Sequence, residues 1–372
     1  MGTGTGVEAD TEVDSDVDFE MTGEETFLLD ELEGDCCLLP LCFLTDPLGF
    51  AFFGAKKKRM DLAIVTFNVR NANPKNKENQ TDPIRGLYNG TFRRRCAWLN
   101  RRDLLVETLL SANADVIGLQ EVLSSQFDYL SASLAQEFDL VGVGRDDGKR
   151  GGEFAPIAFR KEKFKCIKWG TIWISETPDI VGSKYLLGHG CCGCCGCCVA
   201  PCTQVRICTW AQLKPRQQVD GSPCPDIIVA NTHLDSKSDD ARTFECKLID
   251  NKLREMTKKG EGLIFLGDFN FERGAEGYQY LVGPSHWRDS WVDIEGQKVS
   301  PAEVERNGVT FHDFGRSRVG RRIDFIFYVP RNGSTDIQIL DSTVVRSGEG
   351  GRKSVFASDH YLLASKISLA FE

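Results

Sequence analysis

The octapeptide Leu263-Ile264-Phe265-Leu266-Gly267-Asp268-Phe269-Asn270 decides the fold, because it joins an apolar run to an acid and an amide. Four apolar residues followed by glycine and polar residues predict a strand buried on both faces that ends near Asp268. Comparable polar groups stand beside apolar runs at four other places: Thr66-Phe67-Asn68, Leu119-Gln120-Glu121, Asn231-Thr232-His233-Leu234-Asp235 and Ser358-Asp359-His360. Polar groups at the ends of several strands converge on one edge of a sheet, so we expect a single site there.

Strand and helix patterns alternate along residues 60–372. The first predicted strand is Leu62 to Asn68, and a later one is Ile337 to Leu340. Residues 96–110 predict a helix with one apolar face, formed by Trp98, Leu105 and Leu109. Residues 239–258 predict another, whose inward face is Ala241, Phe244 and Leu248. This mixture favours an α/β (α+β) fold of two packed sheets with helices outside, a four-layer αββα sandwich.

The residue types at the strand ends suit one kind of chemistry. Carboxylate oxygens are the ligands that Mg²⁺ prefers, and histidine and asparagine can contact phosphoryl oxygens. Glu121, directly after a predicted strand, is the first candidate for a metal ligand. The pattern therefore predicts metal-assisted cleavage of a phosphate ester.

The five segments, in this order, resemble the endonuclease/exonuclease/phosphatase superfamily of Mg²⁺-dependent phosphoesterases, whose fold is that of deoxyribonuclease I. A sixth element, Arg322-Ile323-Asp324-Phe325-Ile326-Phe327, fits the same family pattern. Each motif is weak alone, but six in the family's order are specific. The resemblance covers residues 60–372 and implies a DNase I-like catalytic domain over that range.

The resemblance also implies a metal site and a water-activating group. Asn68 and Asp359 would complete or support the site of Glu121 for Mg²⁺, with Mn²⁺ as the alternative cation. Asp268 would orient and deprotonate the attacking water. Asn270 would contact the phosphate or fix Asp268 in place.

The histidines are predicted to handle charge on the phosphoryl group. His360 would contact a phosphoryl oxygen, and Asp324 would pair with it and fix its tautomer. Asp324 inside an apolar strand would otherwise be a costly buried charge, which itself argues for a partner. His233 would contact phosphate or protonate the leaving oxygen.

Three further residues are candidates for lining the substrate cleft. Asn231 is a candidate phosphate contact, and Arg145 and Glu153 flank a glycine-rich loop that could border the cleft. Arg206 falls in a segment, Arg206-Ile207-Cys208-Thr209-Trp210, that is similar to a subgroup of the family, but its pattern assigns it no role.

Charge bears on the substrate. Residues 1–59 carry 14 acidic and 4 basic residues, whereas residues 60–372 carry 40 acidic and 41 basic ones. The predicted domain thus lacks the basic excess of proteins that grip many phosphates. We expect a phosphodiesterase or nuclease acting on nucleic acid or nucleotides. The alternatives are a membrane-associated phosphoinositide or sphingolipid phosphoesterase and a catalytically silent binding module.

The first 59 residues differ in character from the rest. Residues 1–35 are acidic and predicted to be disordered, residues 36–55 are apolar, and the basic tetrad 56–59 follows. The apolar stretch is interpreted as a tail packed on the domain or poorly ordered, as a peripheral membrane anchor, or, least favoured, as a membrane span. The tetrad is interpreted as a solvated linker.

Cysteine usage indicates a reducing compartment. Seven of the 15 cysteines fall between Cys191 and Cys202, within a predicted Cys-rich loop insertion at 188–204. Their spacing matches neither a disulfide framework nor a zinc site, and no secretory signal is recognisable at the N-terminus. We expect an intracellular, cytoplasmic protein, with membrane association through residues 36–59 as the alternative.

Overall fold

Two β-sheets packed face to face form the centre of the protein. The computed structural model describes residues 57–73, 75, 96–186, 204–296, 298–348 and 355–372. The strands are β1 (Lys58–Asn68), β2 (Val116–Gln120), β3 (Phe138–Val141), β4 (Ile157–Arg160), β5 (Phe164–Trp173), β6 (Ile207–Pro215), β7 (Gln218–Val219), β8 (Ser222–Pro223), β9 (Ile227–His233), β10 (Gly262–Asp268), β11 (Arg288–Asp289), β12 (Asp324–Tyr328), β13 (Arg331–Asn332), β14 (Thr335–Val345) and β15 (Leu362–Phe371).

Seven strands form one sheet, in the order β13-β14-β15-β1-β2-β4-β3, and six form the other, in the order β11-β12-β10-β9-β6-β5. Strands β7 and β8 form a separate hairpin. The helices are α1 (Trp98–Ser111), α2 (Ser124–Leu134), α3 (Asp239–Met256), α4 (Glu276–Val282), α5 (Ser290–Glu295) and α6 (Pro301–Asn307). A 3₁₀ turn covers Asp313–Gly315.

The central strands are apolar on both faces because each face packs against a different layer. In β1, Ile64 points into the core between the sheets, where Ile264 of β10 also lies. The next residue, Val65, points outward to pack with Leu105 of α1. Phe265 of β10 likewise points out, towards the layer of α3 and α4. The predicted four-layer αββα sandwich is confirmed.

The two long predicted helices differ in how well their faces were assigned. Trp98, Leu105 and Leu109 of α1 are buried, as predicted. In α3, Ala241 is buried, but Phe244 and Leu248 are only half-buried. Both still pack against the outer core, so the predicted face does point inward. Helix α3 also buries polar side chains, which hydrophobic periodicity cannot register: Arg242, Thr243, Glu245 and Asp250.

Two strands are longer than predicted. Strand β1 begins at Lys58, which pairs with Phe371, so Lys58 and Arg59 of the basic tetrad belong to the sheet rather than to a linker. Strand β14 is longer than the predicted segment 337–340 because a register shift between Ile339 and Asp341 lets pairing with β15 continue.

Several predictions fall on residues outside the described part of the chain. Residues 1–56 and 187–203 are not described, so the acidic extension, its apolar stretch and the Cys-rich insertion stay predictions. Among the described helices, none is both long and apolar enough to span a bilayer.

The strand ends meet at one edge of the sandwich. Strands β1 and β2 are parallel, as are β9 and β10, so Asn68 pairs in register with Gln120, and His233 with Asp268. Strand β12 runs antiparallel to β10 and places Asp324 opposite Asp268. Gly267 permits the close pairing of β10 with β9, since a Cβ at this position would lie 2.1 Å from the Thr232 carbonyl oxygen. One edge therefore collects polar groups from both sheets.

Candidate active site

The loop after β1 and the end of β2 hold one carboxylate cluster. Glu121 has a positive φ of 60° and is 9% exposed. Its Oε2 accepts hydrogen bonds from the Asn71 backbone N–H (3.0 Å) and side-chain amide (2.8 Å). Arg70 lies between two carboxylates, with Nη1 3.8 Å from Glu121 Oε2 and Nε 3.6 Å from Asp359 Oδ2. Glu121, just after β2, and Asp359, just before β15, thus both face one guanidinium group.

The pKa values of these two carboxylates are shifted in opposite directions, that of Glu121 downwards and that of Asp359 upwards. Burial alone would raise the pKa of Glu121, but Arg70 and the Asn71 amide hold it below its ordinary value. Burial raises the pKa of Asp359, against the charges of His360 and Arg70. A further cation near this pair would favour both ionised forms.

Asn68 links this cluster to the next one. Its Nδ2 donates hydrogen bonds to Asp268 Oδ2 (2.8 Å) and to Glu121 Oε1 (3.2 Å). Its Oδ1 accepts from the Arg70 backbone N–H at 2.9 Å. The amide nitrogen therefore faces the carboxylates, so of the two predicted roles this geometry agrees with supporting the metal site rather than adding a ligand to it. In this arrangement Asn68 orients Glu121 and Asp268 relative to each other.

A buried carboxylate–imidazole–carboxylate chain forms the second cluster. Asp324 Oδ2 lies 2.8 Å from His360 Nδ1, and His360 Nε2 lies 3.7 Å from Asp268 Oδ2. The structure therefore places the predicted Asp324–His360 pair next to Asp268, the residue predicted to activate water. Burial opposes the charged imidazole, but the carboxylates of Asp324 and Asp268 raise the pKa of His360 to about 10. Burial and Asp324 raise the pKa of Asp268 to about 7.

His233 approaches Asp268 from the other side. Its Nε2 lies 3.6 Å from Asp268 Oδ2, while its buried Nδ1 has no hydrogen-bond partner among the described residues. Burial, together with the guanidinium charges of Arg206 and Arg145, lowers the pKa of His233 well below its ordinary value. The ring is therefore neutral, so one of its nitrogens donates and the other accepts.

Asn270 fixes the turn that follows β10. Its backbone N–H donates to Asp268 Oδ1 at 3.0 Å, and its side-chain amide donates to the Leu234 carbonyl at 3.0 Å. With a φ of 53° it adopts the left-handed conformation that asparagine tolerates. Of the two predicted roles, this geometry supports fixing Asp268.

Asn231 lies between the sheets rather than on the cleft surface. It is fully buried, and its Nδ2 donates to the carbonyls of Leu119 (2.8 Å) and Pro156 (2.9 Å). Its Oδ1 accepts from Gln120 Nε2 at 2.7 Å. Both amide donors are occupied by backbone carbonyls, so the structure does not bring Asn231 to the predicted phosphate position.

Arg145 and Glu153 do border the site. Arg145 Nη1 donates to Glu153 Oε2 at 2.7 Å, and Asn71 Nδ2 donates to Glu153 Oε1 at 3.0 Å. The pattern of the sequence missed the positions of Arg70, Asn71 and Arg206. Arg70 and Asn71 directly follow the Asn68 motif, and Arg206 is the first residue of the segment Arg206-Ile207-Cys208-Thr209-Trp210. Closeness along the sequence to a recognised motif is therefore the only feature that could have pointed to these three residues.

Two groups of residues could hold a metal. Asp268, Asp324 and His360 have ligand atoms within 4.8 Å of one another. However, His360 Nδ1 is already hydrogen-bonded to Asp324, and Mg²⁺ prefers oxygen ligands to imidazole nitrogen. Glu121 and Asp359 offer only oxygen ligands, and both lie beside Arg70. The donor set fits a divalent cation there better.

The match to known proteins agrees with this geometry. The model of the Endonuclease/Exonuclease/phosphatase family matches residues 65–360. The chain belongs to this family. Members of the family are phosphoesterase hydrolases and are generally dependent on a divalent metal. The protein is therefore a phosphoesterase-type hydrolase with the DNase I-like fold.

Relatives in the family differ in size and in what they act on. The chain is 24% identical over 291 residues to a probable CCR4-Not complex 3'-5'-exoribonuclease subunit from Enterocytozoon bieneusi, covering 72% of this chain and 58% of that protein. It thus spans less than two thirds of that relative. A family member from Bacteroides vulgatus is 27% identical, with a TM-score of 0.62, covering 84% and 100% of the two chains.

A third comparison is with a mannosyl-6-phosphatase from Bacteroides thetaiotaomicron. It is 26% identical with a TM-score of 0.63, and the match covers 83% of this chain and all of that one. Similar proteins within the family thus include one named as a nuclease and one named as a phosphatase.

Proposed function

We propose that this protein hydrolyses a phosphoester bond with Mg²⁺ by in-line attack of water. The observation that carries the proposal is the convergence on Asp268, whose Oδ2 lies 3.6 Å from His233 Nε2, 3.7 Å from His360 Nε2 and 2.8 Å from Asn68 Nδ2. One carboxylate between two imidazoles, with a second carboxylate cluster beside it, suits deprotonation of water next to a charged phosphoryl group.

Asp268, His360 and His233 have separate roles in the proposed reaction. Asp268, with a pKa raised towards neutrality, accepts the proton of the attacking water. His360 is held in place by Asp324 and donates from Nε2 to a non-bridging oxygen as charge builds on it. His233 is neutral and lies on the opposite side of Asp268, where it can contact the leaving oxygen.

Glu121 and Asp359 would hold the Mg²⁺ ion, with Mn²⁺ as a substitute. When bound, the cation polarises the phosphoryl oxygen and offsets negative charge in the transition state. Arg70, placed between the two carboxylates, keeps them close together. Asn68 keeps Glu121 and Asp268 at a fixed spacing by donating to both.

We infer that the substrate is a nucleic acid or a nucleotide, supported by the likeness to an exoribonuclease subunit. A second candidate is a phosphorylated sugar. It is supported by the likeness to a sugar phosphatase along the whole length of that protein and by the near-neutral charge of residues 60–372.

Turnover of a substrate panel by the full chain tests this proposal. The panel contains poly(A) RNA, single-stranded DNA, bis-p-nitrophenyl phosphate, p-nitrophenyl phosphate and mannose 6-phosphate, each with Mg²⁺, Mn²⁺ or EDTA. We expect metal-dependent turnover that falls by at least about 10³-fold in Asp268→Asn. Asp220→Asn, at an exposed turn, is the matched control and should retain wild-type rates. Metal-independent turnover, or equal rates in both variants, would refute the mechanism.

A further inference from the structure

Arg101 is an arginine of helix α1 that the proposed reaction does not use. It is fully buried, and its guanidinium donates to four backbone carbonyls: Nε to Cys96 (3.0 Å), Nη1 to Val69 (2.6 Å) and Ala357 (2.8 Å), and Nη2 to Arg70 (2.6 Å). Guanidinium groups stay protonated in proteins, so these are charge-assisted hydrogen bonds. Arg101 is therefore bound to the fold through main-chain oxygens.

Three of these carbonyls belong to two segments that border the proposed cation site. Val69 and Arg70 directly follow β1. Ala357 precedes Asp359 by two residues, in the segment that leads into β15. These segments are far apart in the sequence, and the side chain of Arg101 joins them through main-chain atoms. It thereby fixes where the chain leaves β1 relative to where it enters β15.

The Arg101 guanidinium also contacts an aromatic ring of the 3₁₀ turn. Its Cζ lies 5.7 Å from the centroid of the Phe314 ring, within the range of a cation–π interaction. At the start of this turn, the backbone N–H groups of His312 and Asp313 donate to the Asp359 carbonyl at 2.9 and 3.1 Å. Arg101 therefore packs against the turn that holds the main chain of Asp359.

The contacts of Arg101 also maintain a strained residue. Arg70 has a φ of 55°, in the left-handed region that is unfavourable for a residue with a side chain. Its carbonyl accepts from Arg101 Nη2 at 2.6 Å and from Gln126 Nε2 at 3.1 Å, and its N–H donates to Asn68 Oδ1 at 2.9 Å. Strained backbone persists where the surrounding contacts over-determine it. These contacts place the Arg70 side chain between the two carboxylates of the cation site.

We propose that Arg101 is a positioning residue for the divalent cation, which sets the distance between Glu121 and Asp359 by joining the main chain of the segments beside them. This inference rests on the proposed function, since it takes these two carboxylates as the cation ligands. Arginine suits the role because its planar fork donates in several fixed directions, whereas lysine donates from one atom. Partners that orient metal ligands typically change metal affinity by about 10- to 100-fold when they are mutated.

Two other accounts of Arg101 predict different results. If its charge acted only through space, removing it would tighten cation binding, because like charges repel. If it only attached α1 to the sheet, removing it would lower stability and leave the cation affinity of the folded protein unchanged. Loss of positioning instead weakens cation binding. The direction of the change in affinity therefore separates the three accounts.

Binding of Mn²⁺ to the full chain, followed by electron paramagnetic resonance, tests the proposal without turnover. Wild type, Arg101→Met, Arg101→Lys and Leu105→Ala are compared well below their thermal midpoints. We expect the Kd for Mn²⁺ to rise by about 10- to 100-fold in Arg101→Met. Arg101→Lys should also bind more weakly than wild type, because one ammonium cannot serve carbonyls on several sides. Leu105→Ala, fully buried one turn further along α1, should lower the thermal midpoint without changing the Kd.

A Glu121→Gln variant shows which part of the Mn²⁺ signal belongs to the site. The chain has 54 acidic residues, so weak binding elsewhere gives a background that this variant retains. If Glu121→Gln binds Mn²⁺ like wild type, the assigned cation position is wrong, and the metal step of the proposed function fails with it. If Glu121→Gln loses the tight site while Arg101→Met binds Mn²⁺ as tightly as wild type, or more tightly, only the positioning role is overturned.

Activation by Mg²⁺ gives a second readout. On bis-p-nitrophenyl phosphate, the Mg²⁺ concentration that gives half the maximal rate should rise by about 10-fold or more in Arg101→Met, and saturating Mg²⁺ should restore most of kcat. Leu105→Ala should keep the activation midpoint of the wild type. If Arg101→Met does not fold, Arg101→Lys serves in both assays, and a folded Arg101→Lys with the Mn²⁺ affinity of the wild type would overturn the proposal. If the wild type turns over no substrate, the proposed function fails, and the Mn²⁺ titration still decides the role of Arg101.

Discussion

Replacing Asn231 with alanine separates a structural role from a catalytic one. The side chain makes three hydrogen bonds between the sheets, to Leu119, Pro156 and Gln120, and it is fully buried. Each bond contributes about 1 kcal/mol, and buried groups left unsatisfied add to the loss. The variant should therefore lose about 3–5 kcal/mol of unfolding free energy.

Denaturant unfolding followed by tryptophan fluorescence measures this loss directly. A loss of this size corresponds to a fall in thermal midpoint of roughly 10 °C. Thr66→Val is the matched control, because it removes a single acceptor of Gln120 (3.0 Å) from the same buried network. It should cost only about 1 kcal/mol.

Activity measured well below the midpoint decides between the two roles. If Asn231 only ties the sheets together, kcat/KM should fall by less than about 10-fold, since removing a group that stabilises the transition state costs about 10²–10³. A variant of wild-type stability that loses about 10²-fold or more in kcat would refute the structural account. It would restore the interpretation of Asn231 as a phosphate contact.

Three other changes give distinct outcomes. Asp324→Asn should lower kcat by about 10²-fold or more, and the pKa of His360, followed by NMR, should fall from about 10; an unchanged pKa would show that Asp324 does not hold the imidazolium. Burial raises the pKa of Glu245 to about 8, so wild type loses stability as pH rises from about 4.5 to 8. In urea unfolding, Glu245→Gln should match wild type at pH 4.5 and exceed it by about 4 kcal/mol at pH 8. Parallel pH profiles of the unfolding free energy would contradict the burial account. Gly118→Ala should destabilise the protein because its Cβ would lie 2.0 Å from Leu266 Cδ1 and 2.8 Å from Asn231 Cγ, so an unchanged thermal midpoint would show that these side chains can move aside.

Hydrophobic patterns predicted the sandwich because each central strand has two apolar faces. The run before Asp268 has no polar alternation, which is the signature of a strand covered on both sides. The same logic found the apolar face of α3 but missed Glu245 and Asp250, which are buried there as hydrogen-bonded polar groups. Periodicity registers apolar burial but not polar burial that is compensated by partners.

The motifs predicted where the site lies but not the direction in which each side chain acts. Asn68, Asn231 and Asn270 all stand at strand ends of the correct edge. In the structure Asn68 donates to carboxylates, Asn231 to backbone carbonyls of the facing sheet, and Asn270 to the Leu234 carbonyl. Sequence spacing determines the edge, whereas long-range partners determine which amide atom faces the cleft.

Hydrogen-bond satisfaction separates the two kinds of buried polar residue at this edge. Both amide donors of Asn231 are bonded to backbone carbonyls, so its burial leaves no unsatisfied donor. Its removal should therefore lower the free energy of unfolding. Arg206 is also buried, but its Nε and Nη1 have no hydrogen-bond partner among the described residues. The stability of Asn231→Ala therefore tests the principle that buried polar groups are normally satisfied by partners within the fold. If Asn231→Ala kept the unfolding free energy of the wild type, the hydrogen bonds of Asn231 would not be what holds the two sheets together at this edge.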